Sequence, residues 1–351
     1  MTPFRVPVHG RTERSFAPPL GARAQLVDLE SVVLVGNPLG DPERRQVAVL
    51  RPPSGETEGS PLLVLLPGFT GAGPAELSRR APFEENLFQL FDRLQRSGAC
   101  GEATLLSPDC LTSLGGNQYV NSAALGRYDD YVVQELIPWA RETYRTEGVG
   151  VLGQSSGGFG ALHLAFEHPG LFGAVGSSAG DMGFEYTYLP DLPKACREYQ
   201  RYGGPERFLE KLFADPTVLK GPTDPTGAAL LVACMGASYS PVEADPGAFE
   251  LPCDWETSEL RPDVWARWKH FDPVARAATA EGAAALRRPG SVVVTGSTED
   301  EWSLDQGARW FAAVARRQGL SVVHEEFPGG HFVRVPRFTS LFTRMVAALR
   351  S

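Results

Sequence analysis

Residues 62–66 form an unbroken apolar run, Leu-Leu-Val-Leu-Leu, closed at both ends by proline. So short a run between turn residues predicts a central parallel strand buried on both faces. Strand-type runs recur at 103–107, 149–152, 171–178, 291–295 and 321–327. Helical patterns fall between them. Residues 84–97 space Leu87, Phe88, Leu90, Phe91 and Leu94 on one face. A helix starting at Asp129 or Asp130 buries Val132, Val133, Leu136, Ile137, Ala140 and Tyr144, with Pro138 expected to kink it. Residues 159–166 predict a packed helix that stops at His168-Pro169-Gly170. A further helix carries Leu304, Trp310, Phe311, Val314 and Ala315, and a closing one covers about 336–350.

The ends and the middle depart from this alternation. Residues 1–24 are polar, with Arg and Pro, and predict an irregular arm. Within 25–52, the segments 26–35 and 45–50 are strand-like, and the turn 36–42 between them predicts an antiparallel entry to the sheet. Residues 182–276 carry many prolines and aromatics, including Tyr186, Tyr188, Tyr199, Tyr239 and Trp268. They predict an insertion folded like a cap over the sheet, with a helix or strand near 228–235. The whole, 1–351, reads as one α/β domain with a mostly parallel central sheet flanked by helices. In such sheets ligands bind beyond the carboxyl ends of the strands. The loops after Leu66, Ser107, Leu152 and Thr295, together with His331 after the last strand, should therefore converge on one face.

Composition narrows the function. Hydrophobic residues at 42% and charged residues at 21% are ordinary for a globular chain. A net charge of −9 argues against a nucleic-acid surface, which needs a basic footprint. No run is long enough for a membrane span, and the first residues lack the apolar core of a signal peptide, so a cytoplasmic location is expected. Five scattered cysteines without a C-x-x-C pair fit reduced, structural thiols. A homo-oligomer is allowed by all of this and required by none of it.

The chemistry centres on Gly153-Gln154-Ser155-Ser156-Gly157, set between a strand and a helix. This is the pattern of a nucleophile elbow. Its serine is held in a tight turn, facing a helix N-terminus with unpaired N–H groups. A serine hydroxyl is a weak nucleophile, so it needs a base and an orienting acid. In this arrangement the chain order is Ser, acid, His. Of the six histidines, only His331 has both that order and a loop position, Phe327-Pro328-Gly329-Gly330-His331. His9 lies in the arm, His163 and His168 in or at the end of the nucleophile helix, His270 in the insertion and His324 in a strand. An imidazole's ordinary pKa of about 6.5 suits a base at neutral pH. The acid should come from Glu299, Asp300 or Glu301, and position alone leaves all three open. For an oxyanion hole, the N–H of Ser156 and that of Phe69, in Pro67-Gly68-Phe69-Thr70-Gly71, are the candidates. Asn117 and Gln118 are candidates for substrate contact. The Gly-rich loop at 68–73 lacks the Lys-Ser/Thr ending of a P-loop, so a phosphate cradle is not indicated.

These segments together resemble the esterase D and enterochelin-esterase-like group of α/β-hydrolases. Beyond the elbow and Gly330-His331, the resemblance rests on Leu66-Pro67-Gly68-Phe69-Thr70, Gly116-Asn117-Gln118-Tyr119, Arg127-Tyr128-Asp129-Asp130-Tyr131, and Ser178-Ala179-Gly180-Asp181. It spans roughly residues 60–190 and 290–350. The resemblance implies an α/β-hydrolase fold and serine carboxylesterase activity on a small-molecule ester, with no metal or organic cofactor. It implies Ser155 as nucleophile, His331 as base, Asp300 as acid and Phe69 as oxyanion donor. Related acyltransferases place a glutamate slightly later, which keeps Glu301 in view. The insertion matches least and should hold substrate determinants. An acyltransferase with the same triad, or a non-catalytic binding protein on this fold, are the rival readings.

Overall fold

Five consecutive residues with almost no exposure, Leu62–Leu66, can only be accommodated in the middle of a layered structure, and that is where they lie. The computed structural model describes residues 20–78 and 85–351. Most of the expected arm at 1–24, including His9, lies outside these residues.

The main sheet has eight strands: β1 (Ala24–Glu30), β2 (Arg44–Leu50), β3 (Leu62–Leu66), β4 (Thr104–Pro108), β7 (Val149–Gln154), β8 (Ala174–Ser178), β9 (Ser291–Ser297) and β10 (Val322–Phe327). A small hairpin, β5 (Asn121–Ser122) with β6 (Gly126–Arg127), stands apart from it. The spatial order is β1-β2-β4-β3-β7-β8-β9-β10. β1 and β2 pair antiparallel, as does β2 with β4, and every other pairing in the sheet is parallel. This is the α/β-hydrolase fold. Apolar side chains on the two faces make separate cores. One holds Val64, Leu66, Val151, Leu162 and Val294, and the other holds Leu63, Leu65, Phe91, Leu152 and Phe342.

Two sequence expectations shift at the edges. The first strand ends at Glu30 instead of running to Val35. The carboxylate of Glu135 accepts the N–H groups of Val32 and Val33, and Ser31 Oγ accepts that of Leu34, so this backbone turns away from the sheet. Residues 171–173 likewise precede β8 as a turn. Around Pro138 the expected kink takes the form of wider i→i+5 turns over Tyr131–Leu136, leading into the helix Ile137–Tyr144. The wider turns accommodate a proline that cannot donate to the ladder.

The insertion is helical. Its main helices are Leu192–Tyr202, Pro205–Ala214, Pro225–Tyr239 and Pro262–Phe271. Three of them start on the prolines that make the sequence look irregular, because a first-turn proline lacks only an N–H the helix would leave unpaired. Phe184, Tyr199, Phe208, Met235 and Trp268 pack there into a third core. The segment near 228–235 is thus helix.

Candidate active site

The elbow is set by backbone contact. Helix Ser156–Glu167 begins one residue after Ser155. A Cβ on Gly157 would stand 2.0 Å from the carbonyl oxygen of Leu66, so only glycine lets helix and β3 approach this closely. On Gly68 it would stand 3.3 Å from the Cβ of Ser155, which brings the 67–72 loop against the serine. Ser155 itself has φ 56° and ψ −125°. A non-glycine residue held there costs about 1–3 kcal/mol. The conformation is fixed on both sides: Ser155 N–H donates to Ser178 O at 3.0 Å, and Phe159 N–H donates to Ser155 O at 2.9 Å.

His331 lies beside this turn. The side-chain amide of Gln154 donates to the carbonyl oxygen of His331 at 3.0 Å, joining the elbow to the histidine loop across 177 residues of chain. The guanidinium of the fully buried Arg337 donates to the same oxygen. His331 Nδ1 is 2.8 Å from Asp300 Oδ2, and both side chains are almost inaccessible. Asp300 is oriented in turn by the N–H of Trp302, which donates to Oδ1 at 3.0 Å. The three carboxylates are now distinguishable. Asp300 meets the imidazole, Glu301 Oε2 accepts the backbone N–H of His331 at 2.8 Å, and Glu299 is exposed. The indole of Trp302 meets the imidazole edge-on at 4.9 Å between ring centroids.

Ser155, His331 and Phe69 all line one cavity of about 670 Å³. Every loop leaving a carboxyl end of the parallel strands contributes: Pro67–Ala72 after β3, Leu111 after β4, Ser156 after β7, Asp181 after β8, Trp302 after β9, Phe332 after β10. The insertion adds Thr187, Tyr188, Pro222 and Leu231 to the wall. Leu65, Leu87 and Phe338 make it apolar, and the ion pair of Arg334 with Glu76 borders it. The N–H of Phe69 makes no hydrogen bond among the described residues. That of Ser156, first in its helix, has no intrahelical partner.

Asp181 was singled out only as part of a motif. It is buried, and its Oδ2 accepts from Tyr188 OH at 2.9 Å, Gln118 Nε2 at 3.0 Å and Ser156 Oγ at 3.2 Å. Oδ1 meets the hydroxyl of Ser155 at 3.5 Å, the outer limit of a hydrogen bond. Burial raises its carboxyl above the usual range. The two candidate substrate contacts are placed elsewhere. Asn117 spends its side chain on Cys110 O and Tyr119 N, and Gln118 spends its amide N–H groups on Asp181 and Tyr188. Neither lines the cavity. Arg337 left no signal, because an arginine in an amphipathic helix reads as surface.

The remaining described histidines have other surroundings. His163 stacks on Phe159, and burial pulls it down to about 4. His168 pairs with Asp129 at 2.6 Å, which raises it. Among the described residues no helix is long and apolar enough to cross a membrane.

A family model described as "Putative esterase" matches residues 42–349. No curated protein matches. Among solved structures, the chain is similar to a ferulic acid esterase at 19% identity and TM-score 0.56, covering 93% of this chain and 99% of the other. A ferulic acid esterase from Anaeromyces mucronatus, solved with ferulic acid, matches at 14% identity and TM-score 0.54, over 93% and 91%. An S-formylglutathione hydrolase from Agrobacterium tumefaciens matches at 13% and 0.52, over 92% and 94%. At these identities the likeness is one of fold.

Proposed function

The chain belongs to the esterase family whose model spans residues 42–349, and from that premise we propose that Ser155, His331 and Asp300 form the catalytic triad of a serine carboxylesterase. The observation that carries this reading is the His331–Asp300 pair, 2.8 Å apart and shielded from water, bonded through Gln154 to the turn that bears Ser155.

In this reading Ser155 Oγ attacks the ester carbonyl while His331 Nε2 takes its proton. Asp300 holds the imidazole in the tautomer with hydrogen on Nδ1 and stabilises the imidazolium that forms. The N–H groups of Phe69 and Ser156 face the oxyanion. His331 returns the proton to the departing alcohol, leaving an acyl group on Ser155. Water, deprotonated by His331, then releases the acid. The Ser155 hydroxyl rests against Asp181 and must rotate toward His331 on substrate binding. Such hydrogen bonds are often long or misaligned without substrate.

The cavity supports esters with an apolar acyl group, aromatic ones included. Phe69, Trp302, Phe332 and Phe338 supply aromatic wall, and Leu65 and Leu87 supply aliphatic wall. The ferulic acid bound by one fold relative is a ligand of this kind. Ser155→Ala should lower hydrolysis of nitrophenyl and feruloyl esters by roughly 10⁴-fold or more. Wild-type turnover in that variant, with its fold intact by circular dichroism, would reject the assignment.

A further inference from the structure

Two of the five cysteines meet inside the insertion. Cys196, in helix Leu192–Tyr202, and Cys253, in the short bridge to Leu260, have their sulfurs 3.4 Å apart. They are 57 residues apart in sequence. Both are buried, Cys253 keeping 4% exposure, and the turn that follows Cys253, residues 254–260, is exposed apart from the half-buried Trp255. That turn is tied to the helix through Gln200, whose amide donates to Trp255 O and Glu256 O at 3.1 and 2.8 Å. Among the described residues no other two cysteine sulfurs are within hydrogen-bonding distance of each other. A disulfide bond is about 2.05 Å long, so closure requires the two sulfurs to approach by about 1.4 Å.

We propose that Cys196 and Cys253 are an oxidation site, a thiol pair that takes a small peroxide and closes to a disulfide stapling the 250–261 segment to the helix beneath it. The hydrogen bond from Cys253 lowers the Cys196 thiol below its ordinary range, whereas burial pushes Cys100 and Cys234 up to about 12. Cys196 is therefore the more readily ionised thiol of the pair, Cys253 being raised by the same hydrogen bond, and the thiolate is the reactive form. Its sulfur attacks one oxygen of hydrogen peroxide. The S–O bond forms, the O–O bond breaks, and the departing hydroxide is protonated to water. The sulfur of Cys253 then attacks the sulfenic acid. The S–S bond forms as the S–O bond breaks, and the Cys253 proton leaves with that hydroxyl as a second water. Two thiols are oxidised and one peroxide is reduced. Neither residue lines the catalytic cavity, so this chemistry stands apart from that of Ser155.

The consequence is mechanical. A cross-link closing a loop this long restricts the unfolded chain and raises thermal stability. The helix it secures begins four residues after Tyr188, which lines the cavity and holds Asp181.

The test uses the full chain, reduced with dithiothreitol, desalted and treated with hydrogen peroxide. Thiols are titrated under denaturing conditions and peptides are mapped without reduction. The expected result is a fall from five free thiols to three, a peptide linking Cys196 to Cys253, a higher melting temperature, and reversal of all three by dithiothreitol. Cys253→Ala should yield no linked peptide and leave a dimedone-reactive sulfenic acid at Cys196. Cys100→Ser should keep the linkage. Five titratable thiols after treatment, a linkage between other cysteines, or irreversible oxidation of Cys196 with Cys253 still reduced would overturn the proposal. Mapping of the wild-type chain decides the matter even where Cys253→Ala does not fold.

Discussion

Oδ1 of Asp181 lies 3.5 Å from the hydroxyl of Ser155, inside a wall of donors that leaves the carboxyl almost no water. The group sits after β8 and sends its other oxygen to Tyr188, Gln118 and Ser156. Its pKa is raised above 3.8, chiefly by burial. For an acid raised on folding, both states are protonated well below 3.8, so no penalty exists there. As pH climbs, the unfolded chain ionises first and the folded state loses stability relative to it. Asp181→Asn should therefore gain melting temperature over the wild type as pH rises from about 4 to 8. Melting curves of the two proteins across that window check this. A difference that stays flat or reverses contradicts it.

The three neighbouring carboxylates should separate in kinetics. Asp300→Asn puts an uncharged amide at Nδ1, whose NH2 can face the ring and favour the wrong tautomer, and should cost roughly 10²–10⁴-fold in kcat. Glu301→Gln still offers an oxygen to the His331 N–H and should cost roughly tenfold or less. Glu299→Gln, exposed, should be near neutral. Steady-state kinetics on one nitrophenyl ester gives all three values. A deeper loss at Glu301 than at Asp300 would move the acid role.

Gly157→Ala should be among the most damaging substitutions in the chain. Its Cβ would lie 2.0 Å from Leu66 O and 2.7 Å from Pro67 O, both backbone atoms that cannot swing aside. Forcing strand and helix apart should cost on the order of 3 kcal/mol or more. It should also displace Ser155 and abolish activity. Urea unfolding measures the first effect, and near-normal stability would contradict the close-approach account.

Acid stability should depend on His163. Its imidazole is held down to about 4 by burial in the nucleophile helix. For a histidine lowered on folding, the unfolded chain takes up a proton first as pH falls below 6.5. Stability is then lost down to about 4, by on the order of 3 kcal/mol at most. His168, raised by Asp129, works in the opposite direction: its contribution is full below 6.5 and is lost as pH rises through its folded pKa. His163→Gln should flatten the decline between pH 6.5 and 4. An unchanged slope in urea titrations at several pH values would contradict the assignment.

Much of the layered core was legible because its strands are short, dominated by apolar residues and set among prolines and glycines. Leu62–Leu66, between Pro61 and Pro67, shows this well. The elbow was legible for a local reason, since three residues must be glycine or serine for its turn to close. Beyond the pairing of His331 with Asp300 that the resemblance implied, long-range partnerships were not legible. Nothing in the neighbourhood of Glu135 announces that it turns residues 32 and 33 out of a strand. Arg337 behind His331 and Asp181 beside Ser155 depend on the way distant loops meet. The helices of the insertion were hard to delimit because Pro205, Pro225 and Pro262 open them, and a proline in sequence can equally stand at a helix start or just beyond a helix end.

The role of Ser155 is read out by peptide mapping after treatment with a fluorophosphonate, a reagent that phosphonylates activated serine hydroxyls. One adduct per chain is expected, on Ser155, formed in the native protein, absent after heat denaturation and strongly slowed by His331→Ala. An unmodified Ser155 peptide, or an adduct on another serine that parallels loss of esterase activity, would contradict it.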